Sequence, residues 1–191
     1  MVDACIPSRM QREMEPRFKT TSGKLALFAI MTAVTVVANL IMVPMPQPLA
    51  QYDASPVLIY TLGVLLDPMM AGATIAAAMG IGVSYKMVTL GFPPVFVVGA
   101  MLVRGTEAIL ISYLARMRKG ENPKTVSKWE IVAMCVGCVW ETVGFLSLDW
   151  ILFGPGLALI DLATLVDLIF VPVAIVIVAG VRSRLGIYRL T

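Results

Sequence analysis

The chain has 191 residues, of which 59% are hydrophobic and only 14% are charged. A soluble domain needs more polar residues than this to cover its surface, so the composition favours a protein that folds in a lipid bilayer. The net charge is +3, and neither a binding motif nor interleaved aromatic residues accompany the basic residues, which disfavours a nucleic-acid-binding protein.

Six helices are predicted, separated by turns rich in proline and glycine. In lipid, every backbone N–H and C=O must find a partner within the chain, so apolar stretches of this length form helices. The predicted helices 1 to 6 span residues 25–43, 56–66, 69–88, 95–115, 130–152 and 157–181. The N-terminal region does not resemble a signal peptide, because no small-residue cleavage site follows the first apolar stretch.

The basic residues predict the orientation of these helices. Thirteen of the 15 Lys and Arg lie within 9–24, 116–128 and 182–189, and such clusters mark cytoplasmic flanks. An even number of helices must separate two cytoplasmic clusters. Helices 1 and 4 lie between the first and second clusters, so residues 56–90 between them are predicted to cross the membrane twice. About 35 residues are few for two full spans, so helix 2 is predicted to be short.

The fold prediction is therefore an all-α membrane protein, a six-transmembrane-helix bundle with both termini cytoplasmic and a short, irregular helix 2. Residues 1–24 are predicted to form a basic cytoplasmic segment, 25–181 the membrane domain, and 182–191 a cytoplasmic tail. The predicted location is the plasma membrane, which the chain crosses several times.

The connection between helices 1 and 2 contains a charged residue and several prolines, in "QPLAQYDASP" (47–56). We expect Ser55 to cap helix 2 and Pro56 to occupy its first position. Irregular backbone near membrane depth is tolerated only where it is buried in protein or lines a cavity. Residues 44–55 are therefore predicted to form a wall or lid over an interior site.

Ionisable and aromatic side chains within the helices indicate a candidate binding site. A charge at the centre of a span costs at least about 2.5–3.5 kcal/mol, so it is expected to face a cavity or a partner. The candidates, which gather in the outer halves of helices 3 to 6, are Tyr85, Lys86, Arg104, Glu107, Trp140, Glu141, Asp149, Asp161 and Asp167. They are typical of a pocket for a small polar molecule with an aromatic or heterocyclic part.

Several of these residues also have a purely structural interpretation. Arg104 and Glu107, three residues apart on helix 4, could form an ion pair within the bundle. Lys86 could extend to the membrane surface, and Asp161 could compensate the dipole at the start of helix 6. Arg104 could instead bind a ligand carboxylate or phosphate.

Cys135 and Cys138 form a C-x-x-C motif on helix 5, but the chain has no histidine and only three cysteines. A structural zinc site would need two further ligands, so these cysteines are expected to pack among the helices. No nucleophile–base pair, P-loop or dinucleotide-binding motif is recognisable. We therefore expect neither an enzyme nor a bound cofactor or metal.

Helix 1 carries small residues at Ala29 and Ala33, which form an A-x-x-x-A motif. Small residues four apart make a flat stripe that another helix can approach closely. That second helix could belong to this bundle or to another protein.

Taken together, these features resemble those of the S components of energy-coupling factor (ECF) transporters. The resemblance covers roughly residues 24–182 and rests on the A-x-x-x-A helix after a basic N-terminus, on "DASP" (53–56) at the start of helix 2, and on the turn "DPMMAG" (67–72). This turn has Asp where the family usually has Gly, and its second Gly comes one position late. S components capture a vitamin or related molecule and dock on a transmembrane T component that two ATPases drive.

The resemblance implies roles for individual residues. It assigns Gln51, Tyr52 and Asp53 to the lid or pocket and assigns Ala29 and Ala33 to the interface with the T component. The chain has no histidine, so it departs from the nickel and cobalt S components, and its first connection is most similar to those of the flavin and pyridoxine types. Within the site, Arg104 and Lys86 would favour a carboxylate or phosphate on the ligand, whereas Glu141 and Asp161 would favour an amine or ring nitrogen.

Two other functions are compatible with the sequence. The chain could be a structural or assembly subunit of a membrane complex, in which buried charges only pair with one another. Less favoured is an intramembrane enzyme that uses Asp161, Asp167 or Glu141 as acid–base groups, because it would need a metal or a nucleophile that the sequence does not provide.

Overall fold

The computed structural model describes residues 20–43, 52–91, 93–117 and 125–185. Its first five helices are α1 (Thr21–Leu40), α2 (Ser55–Leu65), α3 (Pro68–Leu90), α4 (Val95–Met117) and α5 (Lys128–Phe153). The last helical run consists of a short helix α6 (Pro155–Ala158), a 3-10 segment η1 (Leu159–Phe170) and a final helix α7 (Val171–Leu185). The predicted all-α class with six helices is confirmed.

Five of the described helical segments are long and apolar enough to cross a membrane, and α2 is not one of them. With 11 residues, α2 is only about 16 Å long, which is short of the roughly 30 Å hydrocarbon core. The short second helix is thus confirmed. The lengths and compositions of the other helices are those of a multi-pass membrane protein.

Almost all of α2 is buried, and it packs against α1, α3, α4 and α7. The outer faces of the surrounding helices carry exposed apolar side chains such as Val88, Ile151 and Val176. Charged residues lie inside the bundle instead, among them Arg104 and Glu141. This arrangement suits a bilayer, in which apolar side chains contact lipid and ionisable ones face the interior of the bundle.

Side-chain caps define three of the helix starts. Thr20, Asp67 and Ser127 each accept a hydrogen bond from a backbone N–H in the first turn of α1, α3 and α5. In α5, Glu130 completes a capping box by accepting a hydrogen bond from the backbone N–H of Ser127. These contacts satisfy N–H groups that have no partner within their own helix.

The predicted cap of α2 is wrong. The helix already includes Ser55, and Pro56 lies in its first turn. The Ser55 hydroxyl does not cap the helix but contacts the side chains of Asp53 and Arg104. A residue expected to stabilise a helix end therefore belongs to the polar interior.

The bounds of the first helix differ from the prediction at both ends. It begins at Thr21, within the segment predicted as a cytoplasmic extension, because Thr20 provides a cap. It ends at Leu40 because the next residues form a short antiparallel strand pair, β1 (Met42–Val43) with β2 (Tyr52–Asp53), in which Met42 pairs with Asp53.

The last helix also extends past its predicted end, through Leu185. The predicted boundary between residues 181 and 182 falls inside this helix. Arg182 is buried because it forms an ion pair with Glu130 of α5, with Nη2 2.7 Å from Oε1. Its charge is therefore used inside the protein and is not part of a solvated tail.

Helices α3 and α4 pack closely at Gly72 and Gly105. A Cβ on Gly72 would lie 3.2 Å from the carbonyl oxygen of Gly105, and a Cβ on Gly105 would lie 3.1 Å from the Cβ of Ala76. The small residues in "AGATIAAAMGIG" (71–82) therefore allow close helix packing.

Candidate functional site

Asp53 is the centre of a buried polar cluster. It lies at the end of β2 and is 4% exposed. One carboxylate oxygen, Oδ1, accepts hydrogen bonds from the backbone N–H of Ser55 at 2.9 Å and from the Ser55 hydroxyl. The other, Oδ2, accepts from Nδ2 of Asn39 at 2.9 Å and from Nζ of Lys86 at 3.1 Å. Asp53 thereby ties the connection after α1 to helices α1, α2 and α3.

Asn39 reaches Asp53 because α1 and α3 pack closely at Gly82. A Cβ on Gly82 would collide with the side-chain oxygen of Asn39. Its amide group also contacts the sulfur of Met79, one turn before Gly82, at 3.6 Å. The glycine therefore makes room for a side chain that holds the Asp53 carboxylate.

Arg104 links this cluster to α5. Its Nε donates to Oε1 of Glu141 at 2.8 Å, and its Nη1 donates to the Ser55 hydroxyl at 2.6 Å. The same Nη1 lies 3.4 Å from Asp53, and the guanidinium stands over the ring of Phe145 at 5.9 Å. Because these contacts lie on several sides of the guanidinium, Arg104 fixes α2, α4 and α5 relative to one another. We call Asn39, Asp53, Ser55, Lys86 and Arg104 the Asp53 cluster.

The electrostatic environment keeps Asp53 ionised. Burial by itself would raise the pKa of the Asp53 carboxyl. The positive charges of Arg104 and Lys86, together with the hydrogen bonds from Ser55, outweigh that effect and lower this pKa below its ordinary value. Asp53 is therefore a stable counter-ion at neutral pH.

Three further carboxyl groups lie deeper in the bundle, and we call them the inner acids: Glu107 of α4, Glu141 of α5 and Asp167 of η1. Glu107 and Glu141 are 0% exposed, and Asp167 is 2% exposed. The three groups interact electrostatically with one another and with Arg104. Among the described residues, no hydrogen-bond partner reaches either oxygen of Glu107, Oε2 of Glu141 or Oδ1 of Asp167.

The alternative in which Arg104 forms an ion pair with Glu107 is not observed between these two described residues. The guanidinium of Arg104 instead bonds to Glu141 and to Asp53. Glu107 packs towards α5, where a Cβ on Gly137 would lie 3.4 Å from its Oε1. Spacing along one helix indicated which residues could pair, but it gave no information about partners on other helices.

Two more predicted site residues, Asp149 and Asp161, face each other near the connection between α5 and α6. Both are half-buried, and their side chains interact. They lie apart from the Asp53 cluster. Each has a buried oxygen that no hydrogen-bond partner reaches within the described part of the chain.

The predicted aromatic residues do not join these groups. Tyr85 is 57% exposed and Trp140 is 45% exposed on the outer surface of the bundle. The indole N–H of Trp140 donates to Thr106 at 3.0 Å. Gln51 lies outside the described residues, and for Tyr52 only the backbone, which pairs with Val43, is described.

The two residues predicted to contact a partner, Ala29 and Ala33, are both exposed on α1. Large apolar residues on the same outer surface, including Ile30 and Val37, are also exposed. None of the described helices therefore covers the A-x-x-x-A stripe.

Sequence reasoning missed Asn39 and Ser55 as members of the site. Both are uncharged, so the cost of a charge in lipid did not select them. A polar residue one turn before the proline-rich break was the available signal for Asn39, and "DAS" (53–55), in which a serine can bond an aspartate two residues earlier, was the signal for Ser55.

The described residues bring several ionisable side chains together in the interior. They contain no group of three or more Cys, Asp or Glu side chains arranged to hold a metal ion. Cys135 and Cys138 both have free thiols that form no disulfide. Cys138 is buried, and its thiol donates to the carbonyl oxygen of Thr164. In the interior, the bases Lys86 and Arg104 form ion pairs with carboxylates. Next to them lie carboxyl oxygens that accept no hydrogen bond from any described residue.

Comparison with known proteins gives little further information. No family model matches the chain, and no solved structure matches it. A protein of Pyrococcus woesei, described as "Uncharacterized protein in gap 3'region", is 26% identical over 125 residues, which cover 65% of this chain and 76% of that protein.

Proposed function

We propose that this chain is the substrate-capturing membrane subunit of an ATP-driven importer, of the S-component type in ECF transporters. In this proposal it binds a vitamin or related small molecule with high affinity and then docks on a T component and two ATPases. It performs no chemistry of its own. Both termini lie in the cytoplasm, and the membrane is the plasma membrane.

The position of Asp53 is the observation that carries this proposal. A carboxylate on the connection between α1 and α2 is buried against Lys86 of α3 and Arg104 of α4. The connection is thus anchored over a polar interior, as expected for a segment that covers a solute. In a bundle that served only as a membrane anchor, burying these charges would cost free energy without a corresponding function.

The exposed face of α1 supports the docking step. Ala29 and Ala33 lie four residues apart with no neighbour within the described bundle covering them. A partner helix could approach this stripe closely, since neither side chain extends beyond Cβ. In the proposal this partner is the T component.

A second candidate function is a structural subunit of a membrane complex. It is favoured by the pairing of Lys86 with Asp53 and of Arg104 with Glu141, which leaves these bases engaged within the protein. The inner acids argue for the importer subunit, because a purely structural network would satisfy its buried carboxyl groups.

The main test is energised uptake. The chain would be expressed with and without a T component and its two ATPases, and small molecules that copurify with it in mild detergent would be identified by mass spectrometry. We expect one bound metabolite, and ATP-dependent uptake of that metabolite only with the partners. A protein that purifies without ligand and gives no uptake with any T component would contradict the proposal.

Substitution on α1 separates docking from binding. Ala33→Trp should abolish uptake and leave the affinity for the copurified metabolite unchanged, because the bulky side chain blocks only the outer stripe. Val143→Trp is the matched control, since Val143 is 53% exposed on α5, and uptake should persist. Loss of ligand binding in Ala33→Trp would instead make α1 part of the binding core.

A further inference from the structure

The carboxylate of Asp53 is bound by donor groups that belong to helices, whereas Asp53 itself belongs to the connection between α1 and α2. Asn39 of α1 and Lys86 of α3 donate to its Oδ2 at 2.9 and 3.1 Å. At the start of α2, Ser55 donates to Oδ1 through its hydroxyl and its backbone N–H. On α4, Nη1 of Arg104 lies 3.4 Å from both oxygens. Four helices thus converge on one bound anion.

Two of these donors are held in place by contacts that do not involve Asp53. Nε of Arg104 donates to Glu141 at 2.8 Å. The sulfur of the buried Met79 lies 3.6 Å from Nδ2 of Asn39 and 3.6 Å from Nη1 of Arg104. An anion that took the position of the Asp53 carboxylate would therefore meet the same donors.

Arg104 binds Asp53 less closely than it binds its other carboxylate. Charge-assisted N–H···O bonds are about 2.7–2.9 Å long. The bond from Arg104 to Glu141 has such a length, 2.8 Å, whereas the distance from Arg104 to Asp53 is 3.4 Å. Asp53 is thus the more readily exchanged of the two carboxylates.

The two bases around Asp53 are not completely enclosed. The side chains of Lys86 and Arg104 are 7% and 11% exposed. Another buried ion pair, between Arg182 and Glu130, is sealed, because both of its side chains are 0% exposed. Of the two sites, the Asp53 cluster is therefore the one that a small solute can contact in the folded protein.

We propose that Asp53 is the internal occupant of an anion site and that a carboxylate group of the substrate takes its place during capture. This inference rests on the proposed importer function and narrows its substrate class to carboxylic acids. The exchange conserves charge, because Lys86 and Arg104 keep a counter-ion and the released Asp53 enters water with the connection. It thereby avoids the cost of burying unpaired bases. The vacated space has the size of a carboxylate, which disfavours the larger phosphate group.

Chemical rescue tests this site without knowledge of the substrate. Asp53→Ala removes the carboxylate with which Lys86 is paired, and formate is the smallest carboxylate that can replace it. The full chain would be purified in mild detergent at pH 7, and its thermal unfolding midpoint would be measured while sodium formate replaces sodium chloride at constant ionic strength. We expect the midpoint to rise to a plateau, by roughly 3–6 °C at a tenfold excess over the half-saturating concentration.

Matched variants have the site filled, sealed or weakened. The unchanged protein and Asp53→Asn should not respond to formate, because a carboxylate or an amide already occupies the space. Glu130→Ala also removes the partner of a buried base, Arg182, but should not respond, because that pair is sealed. Asp53→Ala/Lys86→Met lacks one of the two bases and should need at least about tenfold more formate for half-saturation.

Three results of the rescue experiment would overturn the inference: no response in Asp53→Ala, an equal response in Glu130→Ala, or a response to phosphate but not to formate. If Asp53→Ala unfolds during extraction in chloride, the yield of monodisperse protein extracted in formate replaces the midpoint as the measurement. A higher yield in formate supports the site, and recovery in neither salt would also overturn the inference.

The affinity for the copurified metabolite gives a second measurement. If Asp53 occupies the site in about nine molecules of ten or more, Asp53→Ala should tighten metabolite binding at least about tenfold. A structural or pocket-lining role of Asp53 would have the opposite effect. Weaker binding in Asp53→Ala, or a metabolite without a carboxyl group, would overturn the inference. If ATP-dependent uptake persists in that case, only this inference fails. If formate rescues Asp53→Ala but no partner gives uptake, the importer function fails instead.

Discussion

Glu130 and Glu141 lie on the same helix, about 16 Å apart along its axis, and both are completely buried. Arg182 holds Glu130 through two hydrogen bonds, from Nη2 to Oε1 at 2.7 Å and from Nη1 to Oε2 at 3.1 Å. Oε2 also accepts a bond from the backbone N–H of Ser127. Glu141 receives one bond, from Arg104, and its second oxygen has no partner among the described residues.

This contrast separates two uses of a buried charge. At one end of α5, a bidentate pair joins α5 to α7 and satisfies both members, which is the pattern of a structural clamp. At the other end, carboxyl groups outnumber bases. Buried ionisable groups that are not matched in this way are typical of functional sites.

The largest expected effect comes from breaking the clamp. Arg182→Leu leaves the Glu130 carboxylate buried without its countercharge, and we expect it to lower the free energy of unfolding by about 3–5 kcal/mol. Reversible unfolding in mixed micelles would measure this. Arg182→Leu/Glu130→Leu should recover most of the loss. A double variant as unstable as the single one would mean that packing, and not charge, holds α7 in place.

A matched substitution among the inner acids should raise the free energy of unfolding instead of lowering it. Glu107→Gln replaces a carboxyl group that no donor reaches among the described residues, so we expect stability to rise by about 1 kcal/mol in the absence of ligand. Glu130→Gln, the same change in the clamp, should be destabilising. The two variants would be compared in one unfolding assay. Equal losses of stability in the two variants would mean that the clamp and the inner acids do not differ in how they use a buried charge.

The smallest effect is a dependence on pH at Asp53. Its pKa is lower in the folded protein than its ordinary value, so the unfolded chain binds a proton more readily at this position. The stabilisation is fully present above the unfolded pKa of about 3.9 and is lost as the pH falls through the lower folded pKa.

Unfolding of the unchanged protein and of Asp53→Asn would be compared between pH 7 and pH 3. We expect the stability difference to be constant down to about pH 5 and to shrink below about pH 4. A difference that does not change over this range would mean that the Asp53 charge adds nothing to stability.

Much of this architecture follows from the sequence by simple physical rules. Composition predicts the membrane class. The even number of helices required between cytoplasmic basic clusters predicts a short α2. The cost of a charge in lipid selects Lys86, Arg104 and Glu141, which the structure brings to the interior. The prediction that Tyr85 and Trp140 join the site is not met, because uncharged aromatic residues are stable on the outer face of a membrane helix as well as on the inner one.

The pairing of the charges could not be predicted in the same way. Arg104 has an acid three residues away, yet its bonds go to other helices, and this choice depends on how the helices rotate and pack. The burial of Arg182 depends on Glu130, 52 residues earlier. The 3-10 form of η1 was also not predicted, because an apolar run of this kind favours an ordinary α-helix from sequence alone.

The small size of α2 has a consequence for biogenesis. Nearly all of its side chains are covered by other helices, and its 11 residues are too few to hold it across a bilayer. During synthesis α1 and α3 are its only partners among the described helices until α4 and α7 have emerged, so we expect it to enter the membrane as a hairpin with α3. Enclosure of α2 is complete only once α7 is in place, whereas Asp53 can meet Arg104 as soon as α4 has entered the membrane.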